Sequence, residues 1–507
     1  MIRKIIPWIV FAIFGYFLVG NNFSAKLGMI DDHEIALFLG SDGQVTAREF
    51  IPTILSTEVG KWGSYLRYRP SYYTLRVLET ALWRDNATLW YVSRYVILVI
   101  AMWLGWRILG HYFPEIVSYV FIFYLMTIPF WTDLLTRLGP SEIYGLVAIP
   151  LFIYGMIHTK WWMIVLGYAV AVGAKENFLI LFPIVLLYGG YRAYTKVISR
   201  KEIFALLTMI TYTFFIVGAI QTATAKSGAD IYGATISYSD RLAKLYSYKR
   251  YIVESRHLQL ALAIFIAGSV KLVIDMYKKG ALSLRKNVVG NHLVVATLVG
   301  IAILSQYVFY DSNIPSNIRY DYPVMLLFPI LQMVAVSLLI KLLPKKMLGI
   351  KCSVVIYFVL LLGMVTLIYR RGYGDIQVKA QQSALGSQRF ENQLKLIQET
   401  AQLHPESTLV FVSDRYFSFE PIISVGRFLR ARKINNTLVL AYTKESGITD
   451  TLGQDLESRF VSSMEGTVAT DDSFVEFSPA SATSKSCYSI TYGTALSHPT
   501  CPEIAKF

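Results

Sequence analysis

The chain has 507 residues, of which 54% are hydrophobic, 14% aromatic and only 16% charged, with a mean hydropathy of +0.46. That is too apolar for a water-soluble protein of this length and indicates an α-helical polytopic membrane protein. The formal charge of +14 does not point to nucleic acid, because the basic residues are grouped between apolar runs as a topology signal.

Apolar runs fall roughly at 5–20, 88–110, 116–131, 143–158, 161–173, 177–191, 203–221, 258–277, 289–310, 322–343 and 350–369, about eleven spans, several short of ~20 residues. Arg3 and Lys4 precede the first run, and Arg192, Lys196, Arg200 and Lys201 follow the sixth. Lys278, Lys279, Arg285 and Lys286 follow the eighth, and Lys341, Lys345, Lys346 and Lys351 the tenth. All four clusters fall on one side, which the positive-inside rule makes the cytoplasm. The N-terminus is therefore expected inside and, with an odd number of spans, the C-terminus outside. Leu18-Val19-Gly20-Asn21 is a poor cleavage site, so the first run reads as a retained anchor.

The first external segment, 21–87, is too long for a connector and holds helical stretches near 33–40, 47–59 and 71–83 that do not reach spanning length, as helices lying in the interface do. It opens on Asp31, Asp32, His33 and Glu34, four titratable residues in a row that are costly beside lipid unless they face water or a polar ligand. Arg67, Arg69 and Tyr72 follow in the same segment. Arg137 and Glu142 lie between the third and fourth spans, Lys175 in the tight turn between the fifth and sixth, and Arg319 and Tyr320 at the start of the tenth. A second external segment, 222–257, interleaves Lys226, Arg241, Lys244, Lys249 and Arg250 with five tyrosines.

After Arg370-Arg371-Gly372 the composition becomes that of a soluble domain. A polar helix is expected over 376–403, strands over Thr408–Ser413 and Thr437–Tyr442, and a helix over 419–432 between them, making a small external α/β domain of 372–507 beside a membrane domain of 1–371. Cys352 falls at a cytoplasmic helix end, whereas Cys487 and Cys501 fall in the tail, where an oxidising exterior would pair them as a disulfide; two free thiols are the alternative.

A carboxylate at a membrane surface can accept the proton of an incoming hydroxyl, and adjacent carboxylates raise one another's pKa toward neutrality. The competing reading of 31–34 is a solvated helix start, with Asp32 capping and Glu34 favouring the dipole. Cations gathered on the same face shift the balance, since isolated ones are snorkelling anchors but several converging near two acids suit a phosphate headgroup beside a proton acceptor.

This arrangement resembles the GT-C superfamily of integral-membrane glycosyltransferases, which includes protein O-mannosyltransferases, the aminoarabinose transferase of lipid A and transferases that decorate lipopolysaccharide. The carrying features are the acidic pair Asp31-Asp32 in the first external loop, the interface helices after it, Lys175 near a later external helix end and the external tail. The resemblance implies a polyprenyl-phosphate-linked sugar donor, with glucose the candidate sugar, an inverting displacement with Asp31 or Asp32 as base, and Lys175, Arg319, Arg67 and Arg69 around the donor phosphate. His33, Glu34, Arg137, Glu142, Tyr320 and Tyr72 would line the acceptor or sugar side. It requires no cofactor; some relatives use a divalent metal (Mg or Mn), for which Asp31 and Glu142 are the candidates.

The expected partners are the lipid donor, a glycan acceptor such as O-antigen or lipopolysaccharide, the bilayer of a bacterial inner membrane, and functionally a polyprenyl-phosphate sugar synthase and a flippase. Two alternatives stay open: a transporter or lipid flippase, against which the acids sit at the edge of the bundle with no two-fold hydropathy repeat, and an O-antigen polymerase or ligase, whose large functional loop comes late in the chain. No Walker loop, Rossmann fingerprint, serine elbow or paired histidine spacing is present.

Overall fold

A computed structural model describes residues 2–29, 31–128, 130–194, 196–227, 239, 256–279, 288–309, 322, 324–344, 346–347, 350–371, 374–413, 419–442, 475–479 and 487–492. The helices, in chain order, are α1 (Ile2–Val19), α2 (His33–Leu39), α3 (Phe50–Ser56), α4 (Pro70–Trp83), α5 (Ala87–Leu109), α6 (Glu115–Met126), α7 (Trp131–Thr136), α8 (Glu142–Ile157) and α9 (Trp161–Ala174). They continue with α10 (Phe182–Tyr194), α11 (Arg200–Ser227), α12 (Arg256–Lys279), α13 (Val288–Phe309), α14 (Val324–Leu342), α15 (Cys352–Arg371), α16 (Gly374–Leu403) and α17 (Phe419–Ala431). Among the described residues five helical stretches are long and apolar enough to cross a membrane, including Ala87–Leu109 and Arg200–Lys226, and five shorter apolar helices accompany them. With α10 they occupy the places of the expected spans. The molecule is an α-helical polytopic membrane protein, and the apolar side chains α15 leaves uncovered, Phe358 and Leu362 among them, are those a lipid-facing helix presents.

Between lipid-facing helices burial against water supplies no drive, so close packing and internal polar bonds hold the bundle. The α8–α9 hairpin shows how. Gly167 on α9 lets the backbones meet, since a Cβ there would lie 2.7 Å from the Ala148 carbonyl oxygen of α8. Close approach along the hairpin brings its open end, carrying Glu142 and Lys175, into register.

The short helices α2, α3 and α4 cluster at one end of the bundle, where Val45, Ile54 and Val77 form a small core of their own. Pro70 opens α4, a position where its missing N–H costs nothing. A four-stranded sheet follows α16 in the chain, ordered β4 (Thr437–Tyr442), β3 (Thr408–Ser413), β6 (Cys487–Tyr492), β5 (Val475–Pro479). β3 runs parallel to β4 and to β6, and β5 pairs antiparallel with β6. A right-handed crossover through α17 is the ordinary way to join β3 to a parallel β4. A two-stranded hairpin, β1 (Lys346–Met347) with β2 (Ile350–Lys351), links α14 to α15.

Helices α16 and α17 pack directly on the first loop. Ala36 of α2 belongs to one apolar cluster with Phe390, Leu394, Val425, Phe428 and Leu429, against which Leu27 and Met29 also pack. The Lys26 N–H donates to Ser387 Oγ at 2.9 Å, and Gln388 Nε2 donates to the Ser24 carbonyl at 2.8 Å. The loop is thus held between α4 on one side and α16 and α17 on the other.

Candidate active site

Arg76 is the centre of the arrangement and is fully buried. On α4 it follows Arg69, Tyr72 and Tyr73 at helical spacing, and this stripe turns inward. Its guanidinium donates to the carbonyls of Leu138 at 3.1 Å and Asp31 at 3.3 Å, and lies over the Trp90 ring 4.8 Å from the centroid. Asp32 Oδ1 is 3.6 Å from one nitrogen and Glu34 Oε2 is 3.9 Å from another. Burial would lower its pKa, but Tyr72, Asp32 and Glu34 raise it further above its ordinary value, so Arg76 is a permanent cation.

Asp31 stands apart from its neighbours. Its backbone is left-handed, with φ of 65°, a costly conformation for a non-glycine residue that surrounding structure must enforce. The enforcing contact is Gly139: a Cβ there would overlap the Asp31 side chain. Asp31 Oδ2 accepts from Arg137 at 3.0 Å, and the same guanidinium reaches Asp133 Oδ1 at 3.2 Å, one turn back from it. The Asp31 side chain keeps 21% of its surface exposed, whereas Asp32 keeps 4%.

Asp32 is turned inward and accepts from the Gly28 N–H at 2.6 Å. Burial raises its carboxyl to about 6 in spite of the opposing pull of Arg76 and that hydrogen bond. Burial also raises Glu34, whose Oε2 accepts from the Tyr72 hydroxyl at 2.6 Å. Four carboxylates, Asp31, Asp32, Glu34 and Asp133, therefore share two arginines, Arg76 and Arg137. The expected side-chain cap by Asp32 on its own helix is not made. His33 is fully buried, and burial with the field of Arg427 on α17 pushes its imidazole down to about 3, so the ring is neutral.

The cations expected around a phosphate are placed differently. Lys175 is buried with Nζ 2.7 Å from Glu142 Oε1, where the sequence places it as an open phosphate ligand; its extended backbone, φ −154°, breaks α9 before a 3-10 turn over Glu176–Leu181. Asn177 in that turn donates to the Tyr322 carbonyl, and the Tyr322 ring packs against Phe130, Trp131 and Phe178. Arg69 makes two bonds to Glu58, at 2.7 and 3.3 Å, with the Tyr73 hydroxyl beside it at 3.1 Å. Its charge reaches Glu34 and Glu176, which ties the two parts of the site electrostatically. Arg67 is half-buried just before it.

Arg319, Tyr320 and Cys501 lie outside the described residues, as does most of 222–257, and Cys487 lies on β6 with its side chain outside them. Among the described residues no three His, Cys, Asp or Glu side chains gather as a metal site, and Glu142 is engaged by Lys175.

Sequence reasoning missed Arg76, Gly139 and a second buried pair, Arg94 with Glu79, whose two bonds are each 2.8 Å and which lock α5 to α4. The signal for Arg76 was present, as the stripe Arg69, Tyr72, Tyr73, Arg76, Thr80 on one face of α4. At the opposite end of α1, α5 and α8 there is a cavity of about 820 Å³ lined by Ile6, Trp106, Arg107, His111 and His158, remote from these acids.

No family model and no curated protein matches the chain. Among solved structures it is similar to the crystal structure of ArnT from Cupriavidus metallidurans bound to undecaprenyl phosphate, at 14% identity and a TM-score of 0.42 over 91% of this chain and 90% of that one. A likeness of that size says nothing about activity, which the site's own geometry has to carry.

Proposed function

We propose that the chain is an inverting glycosyltransferase that moves a sugar from a polyprenyl-phosphate donor to a hydroxyl of a glycan such as O-antigen or lipopolysaccharide. The observation that carries this reading is Asp31: a partly exposed carboxylate on an enforced left-handed backbone, wedged against Gly139 and oriented by Arg137, beside two carboxylates buried over one arginine. Fixed geometry of this kind suits a general base. Asp31 takes the acceptor hydroxyl proton, the acceptor oxygen bonds to the anomeric carbon from the face opposite the phosphate, and the carbon–oxygen bond to phosphate breaks with its electron pair leaving on polyprenyl phosphate.

Developing charge on that phosphate needs fixed cations in a partly dry site. Lys175, Arg67 and Arg69 are the described candidates, and Lys175 and Arg69 are each now occupied by a carboxylate that the phosphate would displace. In this reading a divalent metal is not required. In this reading the N-terminus lies in the cytoplasm of a bacterial inner membrane and the acids and tail outside, an orientation the basic clusters support, and a synthase and a flippase would deliver the donor.

The test is transfer. Membranes carrying the chain and supplied with polyprenyl-phosphate glucose should extend a lipopolysaccharide glycan by one hexose in its mass spectrum, and a reporter active only outside the cytoplasm should work when fused after Phe507. Absence of transfer from any polyprenyl-phosphate hexose, alongside movement of the lipid between leaflets, would replace this reading with a flippase.

A further inference from the structure

We propose that the cavity at the end of the bundle opposite the acids binds a phosphodiester lipid headgroup that carries a primary amine, as phosphatidylethanolamine does. The proposal is independent of the transferase reading. The cavity measures about 820 Å³ and is lined by Ile6 of α1, Trp106 and Arg107 of α5, His111 in the loop after it, Glu115 of α6 and His158 at the end of α8. Arg107, His111, Glu115 and His158 are exposed, so the polar part of the lining is open to an incoming ligand. Exposed Trp8, Tyr112, Trp161 and Trp162 lie at the same helix ends, as aromatic side chains do at a membrane–water boundary. That sets the cavity at headgroup depth.

The charges in the lining select the ligand. Arg107 and Glu115 belong to no ion pair among the described residues, and the Arg107 guanidinium lies 6.0 Å from the Trp103 ring centroid. Each suits its own helix, Arg107 in the last turn of α5 and Glu115 in the first turn of α6, where the dipole favours those signs. The dipoles do not explain why both line one cavity together with two imidazoles. A phosphodiester accepts hydrogen bonds from a guanidinium and from imidazole N–H groups. Glu115 would repel a purely anionic ligand, but an ammonium a few bonds from the phosphate makes that carboxylate a partner. What adjoins the cavity favours a lipid over a soluble amine phosphate. Ile6, in the lining, begins an apolar row on α1 with Ile9 and Ile13, exposed at 46%, 52% and 67%. Their spacing puts all three on one helix face, a track for acyl chains leading away from the cavity.

The experiment is native mass spectrometry of the full chain in detergent. It is titrated with phosphatidylethanolamine, with phosphatidylglycerol of the same acyl chains, and with phosphoethanolamine, the headgroup without chains. One phosphatidylethanolamine should bind with about tenfold preference over phosphatidylglycerol, and phosphoethanolamine should compete only weakly. Arg107→Gln should weaken phosphatidylethanolamine binding about tenfold, the loss expected of one hydrogen bond between charged groups. Glu115→Gln should instead abolish the preference, so that the two lipids bind alike. If Arg107→Gln does not fold, His111→Gln with His158→Gln should give the weakened binding in its place. Wild-type binding by these variants, or equal binding of both lipids by the unaltered chain, overturns the proposal. A preference that survives Glu115→Gln overturns the amine assignment, and phosphoethanolamine competing as well as the whole lipid would make this a site for a soluble phosphate and overturn the lipid assignment.

Discussion

Two buried ionic clusters sit at the same end of the bundle and are built on opposite principles. At Lys175 one cation meets one carboxylate, Glu142, at hydrogen-bond distance, and the charges cancel. Around Arg76 and Arg137 four carboxylates compete for two arginines, no carboxylate oxygen is closer than 3.6 Å to Arg76, and the acids that burial dominates, Asp32 and Glu34, hold their protons more tightly than usual. A balanced pair is inert until an incoming anion or cation replaces one partner. An unbalanced cluster has proton affinity to spare, and under the proposed function the difference would divide the work, with proton chemistry in the first loop and anion exchange at the turn after α9.

The widest test of this division is Asp31→Asn against Asp32→Asn. Loss of a general base typically removes about 10²–10⁴-fold of rate, so Asp31→Asn should express and bind undecaprenyl phosphate yet transfer that much more slowly, with Asp32→Asn far less affected. Equal losses in both would erase the distinction between the exposed and the buried acid.

Next in size is Arg76→Met, which leaves Asp32 and Glu34 without their shared cation. Removing one partner of a buried ionic set costs about 3–5 kcal/mol, so thermal unfolding at pH 7 should show a large loss that shrinks at pH 5, below the value of about 6 to which burial raises Asp32. A pH-independent loss would mean that Arg76 acts by packing on Trp90 and not by charge.

Lys175→Met should cost a similar amount by leaving Glu142 uncompensated, and adding Glu142→Leu should return most of it. Donor binding separates structure from function here. The restored double variant should still fail to retain undecaprenyl phosphate, and wild-type retention would confine Lys175 to a structural pair.

The smallest effect is the pH dependence of Asp32. Its carboxyl releases the proton at about 6 when folded and at 3.8 when unfolded, so the folded state binds more protons between those values. The stabilisation is complete below the lower value and is lost as pH rises through the upper one. Relative to Asp32→Asn, which cannot ionise, the wild type should lose up to about 3 kcal/mol between pH 4 and pH 7 in unfolding measurements. A constant difference across that range would show that Asp32 is not held in a desolvated site.

The helices were legible because hydropathy runs and turn residues are local: α2, α4 and α5 begin within a residue or so of where the periodicity puts them, and β3, α17 and β4 likewise. The acids were legible because four titratable residues after an apolar run are rare. Arg76 was hidden by reading α4 as an interface helix with its cations outward, although its polar stripe at helical spacing marked an inward face. The Glu142 partner of Lys175 and the Arg427 neighbour of His33 had no local signal at all, since each depends on how distant helices dock.

The tethers from Ser387 and Gln388 to Lys26 and Ser24 join positions more than 350 residues apart in the chain, with separations of 361 and 364. At ribosomal rates of about 5–20 residues per second, the first loop waits on the order of tens of seconds after its own synthesis before its partners exist. During that interval Lys26 and Ser24 lack their partners on α16, so a nascent chain already threaded into the bilayer would carry the whole first loop before the helix that tethers it exists.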